Sequence, residues 1–134
     1  MLTVLSVIGT RPEAIKMAPV VKELARHPDR VRSLVCSTGQ HRRMLDQVLD
    51  LFRIEPDFDL NLMQADQSLS QLTAALFSAL DGVVGQTRPD WVLAQGDTST
   101  VLVVGLVRTT TGCTSATSRR ACVRATATDH SPRK

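Results

Sequence analysis

The sequence contains no run of about 18 apolar residues, the length a helix needs to cross a membrane, so we expect no transmembrane segment. No basic residue precedes the first short apolar stretch, at residues 2–8, which argues against a signal peptide. The three cysteines, Cys36, Cys113 and Cys122, are odd in number and widely spaced, which argues against a disulfide framework or a zinc site. We therefore expect a cytoplasmic protein without membrane contact.

Large apolar residues are also scarce at the end of the chain. Residues 108–134 contain no Leu, Ile, Met, Phe or Trp, and Val123 is their one large apolar side chain. This segment carries six basic residues and one acidic residue, a net charge of +5, whereas residues 1–107 carry −2. The basic pI therefore comes from the tail. Because aromatic residues do not interleave with the charges, we expect no nucleic-acid binding.

Such a tail cannot bury enough surface to offset its ordering entropy, and two interpretations remain open. One is a disordered basic tail. The other is a shift of reading frame near Val107. In the shifted frame, each new codon consists of the last base of one codon and the first two bases of the next, starting at Arg108. Permitted codons in this frame can spell YYHRVHVGHVEAGLRTGD. Codon degeneracy permits many other spellings. This one, however, supplies an apolar strand and then a loop bearing Gly and charges.

The first 107 residues alternate strands with helices, which predicts an α/β domain with a parallel, Rossmann-like sheet and flanking helices. Pro19 is placed in the first turn of the first helix, whose regular part is expected to start near Lys16. A capping box at Ser68 opens the third helix. The predicted strands are 2–8, 31–37, 58–60 and 91–94, and the predicted helices are 13–26, 44–52, 68–84 and one starting at 99 that reaches 107.

The loop GTRPE (residues 9–13) joins the first strand to a helix start, where backbone N–H groups and the helix dipole favour an anion. Arg11 adds a guanidinium suited to phosphate or carboxylate, and Lys16 adds a second cation. The alternative is a surface pair of Arg11 with Glu13 and a solvated Lys16. The loop is neither GxGxxG nor a Walker motif, so it does not indicate NAD or ATP.

Two further loops, TGQH (residues 38–41) and QGDT (residues 95–98), follow later strands, and ligands of such sheets bind at the carboxyl ends of strands. Asp97 is either the N-cap of the next helix or a catalytic or ligand-binding residue. His41 is either an incidental loop residue or part of the site. No group of residues has metal-ligand spacing, so we expect no metal.

Three motifs taken together, GTRPEAIKMAPVV, STGQHRRMLDQVL and QGDTST, closely resemble those of the non-hydrolysing UDP-N-acetylglucosamine 2-epimerases. The resemblance covers residues 1–107, and the shifted spelling GHVEAGLRTGD resembles the family's next motif. It implies a GT-B-type fold, in which two Rossmann-like domains enclose the active site. On this view residues 1–107 are an incomplete N-terminal domain, and residues 108–134 are out of frame and disordered.

The resemblance also implies the chemistry. The family interconverts UDP-N-acetylglucosamine and UDP-N-acetylmannosamine by eliminating and re-adding UDP, without NAD or metal, for bacterial surface polysaccharides. By position, Arg11 and Lys16 match substrate-binding residues, and Asp97 matches a catalytic, substrate-binding acid. We add His41 as a substrate-binding candidate. Full-length members are expected to be homodimers.

The resemblance places two further glutamates and a histidine beyond Val107. We therefore expect this polypeptide alone not to epimerise. Two alternatives remain: another GT-B sugar-nucleotide enzyme, namely a glycosyltransferase, or a non-catalytic fragment that binds a partner.

Overall fold

The computed structural model describes residues 1–39, 42–96, 98–111 and 114–118. In this part of the chain, five parallel strands form one sheet in the order β3-β2-β1-β4-β5. The α/β class and the parallel sheet are thereby confirmed. The strands are β1 Leu2–Ile8, β2 Val31–Ser37, β3 Phe58–Asp59, β4 Trp91–Gln95 and β5 Thr114–Ser118, and the helices are α1 Arg11–Ala25, α2 Arg42–Phe52, α3 Leu69–Thr87 and α4 Ser99–Thr111.

Helices cover both faces of the sheet, which explains why its central strands are nearly continuous apolar runs. Leu5 and Val7 of β1 pack against α3 and α4 on one face. Ile8 packs against α1 and α2 on the other. The register of β1 on β2 is regular, from Leu2 opposite Val31 to Ile8 opposite Ser37. The sheet thus brings the carboxyl ends of β1 and β2 to one edge.

The first helix begins earlier than its sequence suggested. It starts at Arg11, so Pro19 lies in its interior and not in its first turn, and that prediction was wrong. An interior proline removes a bond to the carbonyl four residues earlier, here that of Ile15. Both residues are exposed, so the proline lies on the solvent side of the helix.

The third helix confirms the capping box. The Ser68 hydroxyl accepts from the Gln71 amide at 3.2 Å, and the Gln71 side chain accepts from the Ser68 amide at 2.9 Å. The helix runs to Thr87, three residues past the predicted end, and closes at Arg88 in a left-handed conformation. None of the helices in the described ranges is long and apolar enough to span a bilayer.

The predicted break at residue 108 does not coincide with the end of a helix. α4 continues to Thr111, and residues Thr114–Ser118 form β5, which pairs in parallel with β4. These two segments therefore extend the α/β pattern past residue 108, because the open edge of β4 offers backbone donors and acceptors to any chain that reaches it. The expected disorder of the tail stays a prediction. The rest of the tail lies outside the described residues.

Candidate functional site at the carboxyl ends of β1 and β4

The centre of the sheet contains a topological switch point. From β1 the chain proceeds outward to β2 and β3 on one side, and β4 and β5 lie on the other. Because β1 and β4 are neighbours whose following connections leave in opposite directions, their carboxyl ends leave a crevice that typically binds ligands in such folds. The loops at this crevice start at Gly9 after β1 and at Gly96 after β4.

Glu13 joins these two loops. Its side chain is buried, with 3% of its surface exposed. One carboxylate oxygen, Oε2, accepts the backbone N–H of Gly9 at 2.7 Å and that of Thr10 at 3.1 Å. The other, Oε1, accepts the hydroxyl of Thr98 at 2.7 Å. Since Gly9 and Thr10 follow β1 and Thr98 follows β4, one carboxylate connects both sides of the crevice.

The β4 loop is shaped to meet this carboxylate. Gly96 has a φ of +109°, which residues with a Cβ rarely adopt, and a Cβ there would lie 3.5 Å from Oε1 of Glu13. The carbonyl of Thr98 accepts from the amides of Val101 and Leu102, so Thr98 occupies the N-cap position of α4.

The two predicted cations both lie at the start of α1. Arg11 is the first residue of the helix and Lys16 lies in its second turn, and both side chains are exposed. The alternative of a surface pair between Arg11 and Glu13 is wrong, because the Glu13 carboxylate is buried against Gly9, Thr10 and Thr98. Because Glu13 accepts from the backbone N–H groups of Gly9 and Thr10, these two donors are satisfied within the protein. The anion site expected at this helix start, with Arg11 and Lys16, stays a prediction.

Asp97 and His41 lie outside the described residues. Gly96 and Thr98, which flank Asp97, are described, and so is the start of the β2 loop that leads to His41. In that loop, the Thr38 carbonyl accepts from the Leu62 amide at 3.2 Å. Since β1, β2 and β4 are parallel, the loops that follow them lie along the same edge of the sheet, as the sequence predicted.

Cys36 is buried in the sheet and offers no reactive group at this edge. Burial, with a smaller contribution from the charge of Asp59, raises the pKa of its thiol to about 12, so the thiolate is absent near neutral pH. Within the described ranges, no cluster of three His, Cys, Asp or Glu side chains could hold a metal ion.

A groove of about 720 Å³ lies elsewhere, beside the first half of β2. Its wall includes Ser33 of β2, Arg26 at the end of α1 and Asp57 before β3. Charges of both signs line it, and it includes neither Gly9 nor Gly96. The groove and the converging loops thus lie in different parts of the structure. We take the switch point as the candidate functional site, because the loops after β1, β2 and β4 lie along the same edge of the sheet there.

Comparison with known proteins decides the family. The family described as UDP-N-acetylglucosamine 2-epimerase matches residues 22–113, more than two thirds of the chain. The chain belongs to the UDP-N-acetylglucosamine 2-epimerase family. The resemblance read from the three motifs is thereby confirmed at the level of the family.

Individual epimerases agree with this assignment. The UDP-N-acetylglucosamine 2-epimerase of Neisseria meningitidis is 53% identical over 103 residues, and that of Escherichia coli K12 is 52% identical over 103 residues. Each match covers 77% of this chain but only 27% of the relative. The chain thus spans about a quarter of the length of these relatives.

Solved epimerases share the fold. The crystal structure of the Neisseria meningitidis enzyme bound to UDP-N-acetylglucosamine superposes with a TM-score of 0.82 at 47% identity. The superposition covers 87% of this chain and 31% of that one. The described sheet and helices are therefore a fragment of an epimerase fold.

Sequence reasoning predicted Arg11 and Lys16 as site residues and did not single out Glu13 or Thr98. A signal for Glu13 was present: Thr10-Arg11-Pro12-Glu13 has the capping-box spacing that was recognised at Ser68. No local pattern marks Thr98, because its partner lies 85 residues away in the chain.

Proposed function

We propose that this chain is the N-terminal part of a non-hydrolysing UDP-N-acetylglucosamine 2-epimerase. The complete enzyme, of GT-B type, interconverts UDP-N-acetylglucosamine and UDP-N-acetylmannosamine in the cytoplasm for surface-polysaccharide synthesis, as a homodimer without NAD or metal. The observation that carries the proposal is the match to the sugar-nucleotide-bound enzyme of Neisseria meningitidis, which extends over 87% of the chain.

Arg11 and Lys16 bind the diphosphate in this proposal. The C1–O bond breaks when UDP leaves, and negative charge accumulates on the departing phosphate. Cations that meet this charge lower the barrier when they interact more strongly with the transition state than with the substrate. Both side chains are exposed at the start of α1, on the helix end that favours anions.

Asp97 is the acid/base candidate of the same scheme. Elimination removes the proton from C2 and forms a double bond between C1 and C2, and re-addition returns a proton to the opposite face of C2. A positioned carboxylate can accept or return such a proton. Asp97 follows Gly96 at the carboxyl end of β4, and His41, after β2, is the remaining substrate-contact candidate.

The 134-residue chain does not turn over in this proposal. The remaining acid/base groups of the family belong to the segment that the alternative reading frame encodes and to the chain downstream of that segment. Residues 108–134 are then a frame-shifted product, even where the backbone of residues 114–118 pairs with β4.

The test compares two proteins from the same gene: the 134-residue chain and the product obtained when the frame near codon 107 is restored. Each is incubated with UDP-N-acetylglucosamine while the anomeric and C2 proton signals of the sugar are followed by NMR. We expect conversion to UDP-N-acetylmannosamine, with exchange of the C2 proton in D₂O, for the restored protein alone. If the 134-residue chain converts the substrate, the proposal that it is inactive is refuted. If the restored protein folds but does not convert the substrate, the proposed epimerase function is refuted.

A further inference from the structure

We propose that Glu13 is the positioning residue of this site, which fixes the loop after β4, through Gly96 and Thr98, relative to the loop that carries Arg11. The inference rests on the proposed function for its link to the substrate, but the geometric part concerns the protein alone. Glu13 contacts neither C1 nor C2 of the sugar in this proposal and acts through the two loops.

The hydrogen bonds of Glu13 exceed what helix capping needs. In a capping box, the third helical residue accepts from the N-cap amide, here that of Thr10 at 3.1 Å. The two shorter bonds, from Gly9 and Thr98 at 2.7 Å each, lie outside that motif. The bond from Thr98 links α1 to the loop after β4.

The burial of Glu13 makes this link strong. A buried carboxylate is costly unless hydrogen bonds satisfy it, and bonds to a charged group contribute roughly twice as much as neutral ones. Three donors converge on Glu13, and Gly96 allows the β4 backbone to approach its carboxylate. Losing the Thr98 hydroxyl removes one donor from the buried carboxylate and releases the loop on one side of Asp97.

The experiment uses three variants of the 134-residue chain. Thr98→Val removes the hydroxyl and keeps the shape. Thr98→Ser restores the hydroxyl. Thr87→Val is the matched control, because the Thr87 hydroxyl donates to the Val83 carbonyl in its own helix. The readouts are the amide resonance of Gly96 in ¹H–¹⁵N spectra, the apparent Kd for UDP-N-acetylglucosamine by NMR titration, and the melting temperature.

We expect Thr98→Val to shift the Gly96 resonance and to weaken binding by roughly 5- to 10-fold, less than the full loss of a charge-assisted hydrogen bond, because Thr98 acts on the ligand only through the loop. Thr98→Ser recovers most of that affinity, and Thr87→Val leaves both readouts at wild-type values. A lowered melting temperature for Thr98→Val, with the Gly96 resonance and the Kd unchanged, would overturn the proposal and leave Glu13 a helix cap. If the folded wild-type chain binds no sugar nucleotide, the proposed function fails, and the Gly96 resonance alone decides whether Glu13 couples the loops.

Discussion

The hydroxyl of Thr98 lies 2.7 Å from a carboxylate oxygen of Glu13, although 85 residues separate the two in the chain. This contact joins the two strands of the sheet between which ligands bind in related folds. It also explains why a glutamate is buried at the start of α1. The local geometry of the site therefore depends on one long-range interaction as much as on the two exposed cations.

Replacing Glu13 by alanine is expected to destabilise the chain by about 2–4 kcal/mol, because the buried amides of Gly9 and Thr10 lose their acceptor. Urea denaturation followed by circular dichroism measures the change. The control is Glu23→Ala, because Glu23 makes exposed ion pairs with Arg26 and His27, which contribute little. Equal stabilities of the two variants would contradict the structural role of Glu13.

Two glycine substitutions are expected to have opposite signs. A Cβ at Gly39 would lie 2.9 Å from the backbone of Asn61, and the φ of +72° there disfavours side chains. Gly39→Ala should therefore cost about 1–3 kcal/mol. Gly82 is exposed within α3 and a Cβ there meets nothing within 4 Å, so Gly82→Ala should stabilise by about 0.5–1 kcal/mol. Thermal melts of both variants test the pair, and a stabilised Gly39→Ala would show that the loop after β2 is packed differently.

The core beneath the site can be tested on α3. Leu80 is 1% exposed and packs against β1 and β4, whereas Leu51 on α2 is 76% exposed. Leu80→Ala should cost about 2–5 kcal/mol, because it removes buried methyl groups and leaves a cavity. Leu51→Ala should change stability by less than about 0.5 kcal/mol. Similar losses for both would be inconsistent with the described packing of α3 on the sheet.

The buried thiol of Cys36 gives a pH prediction. The pKa is raised from 9.0 to about 12 in the folded chain. A raised thiol pKa stabilises the fold below pH 9.0, where both states are protonated, and this contribution is lost as the pH rises from 9.0 toward about 12. Native alkylation by iodoacetamide at pH 8, read by mass spectrometry of the peptide containing Cys36, should therefore be slow and should become fast in urea. Fast labelling of the folded chain would contradict the burial.

The sequence predicted strands and helices correctly where a segment shows one clear local pattern. The apolar runs of β1 and β2 gave the correct bounds, and the capping box gave the start of α3. Pro19 misled the placement of α1, because the helix continues through this proline on its exposed side and does not start beside it. Glu13 and Thr98 could not be paired from the sequence, because the pairing depends on β1 and β4 being neighbours, which only the strand order reveals.

The fifth strand bears on the hypothesis that the reading frame shifts near Val107. Residues Thr114–Ser118 pair with β4 although Thr, Ser and Ala give them little apolar surface. The shifted frame places Val-Gly-His-Val-Glu over the same five positions, with apolar valines at positions 114 and 117 where this chain has threonines. Resequencing the DNA across codons 105–110 and downstream is expected to find an epimerase-like reading in the other frame. A downstream sequence without one would refute the frame shift and favour a native tail.

The proposed function depends most on where the sugar nucleotide binds. The direct measurement is a ¹H–¹⁵N NMR titration of the 134-residue chain with UDP-N-acetylglucosamine, repeated for the double variant Arg11→Ala/Lys16→Ala. A site at the switch point predicts resonance changes at Gly9, Arg11 and Gly96 that weaken or vanish in the double variant. Changes confined to the groove around Arg26 and Asp57, or changes that the double variant leaves intact, would contradict a binding site at the switch point.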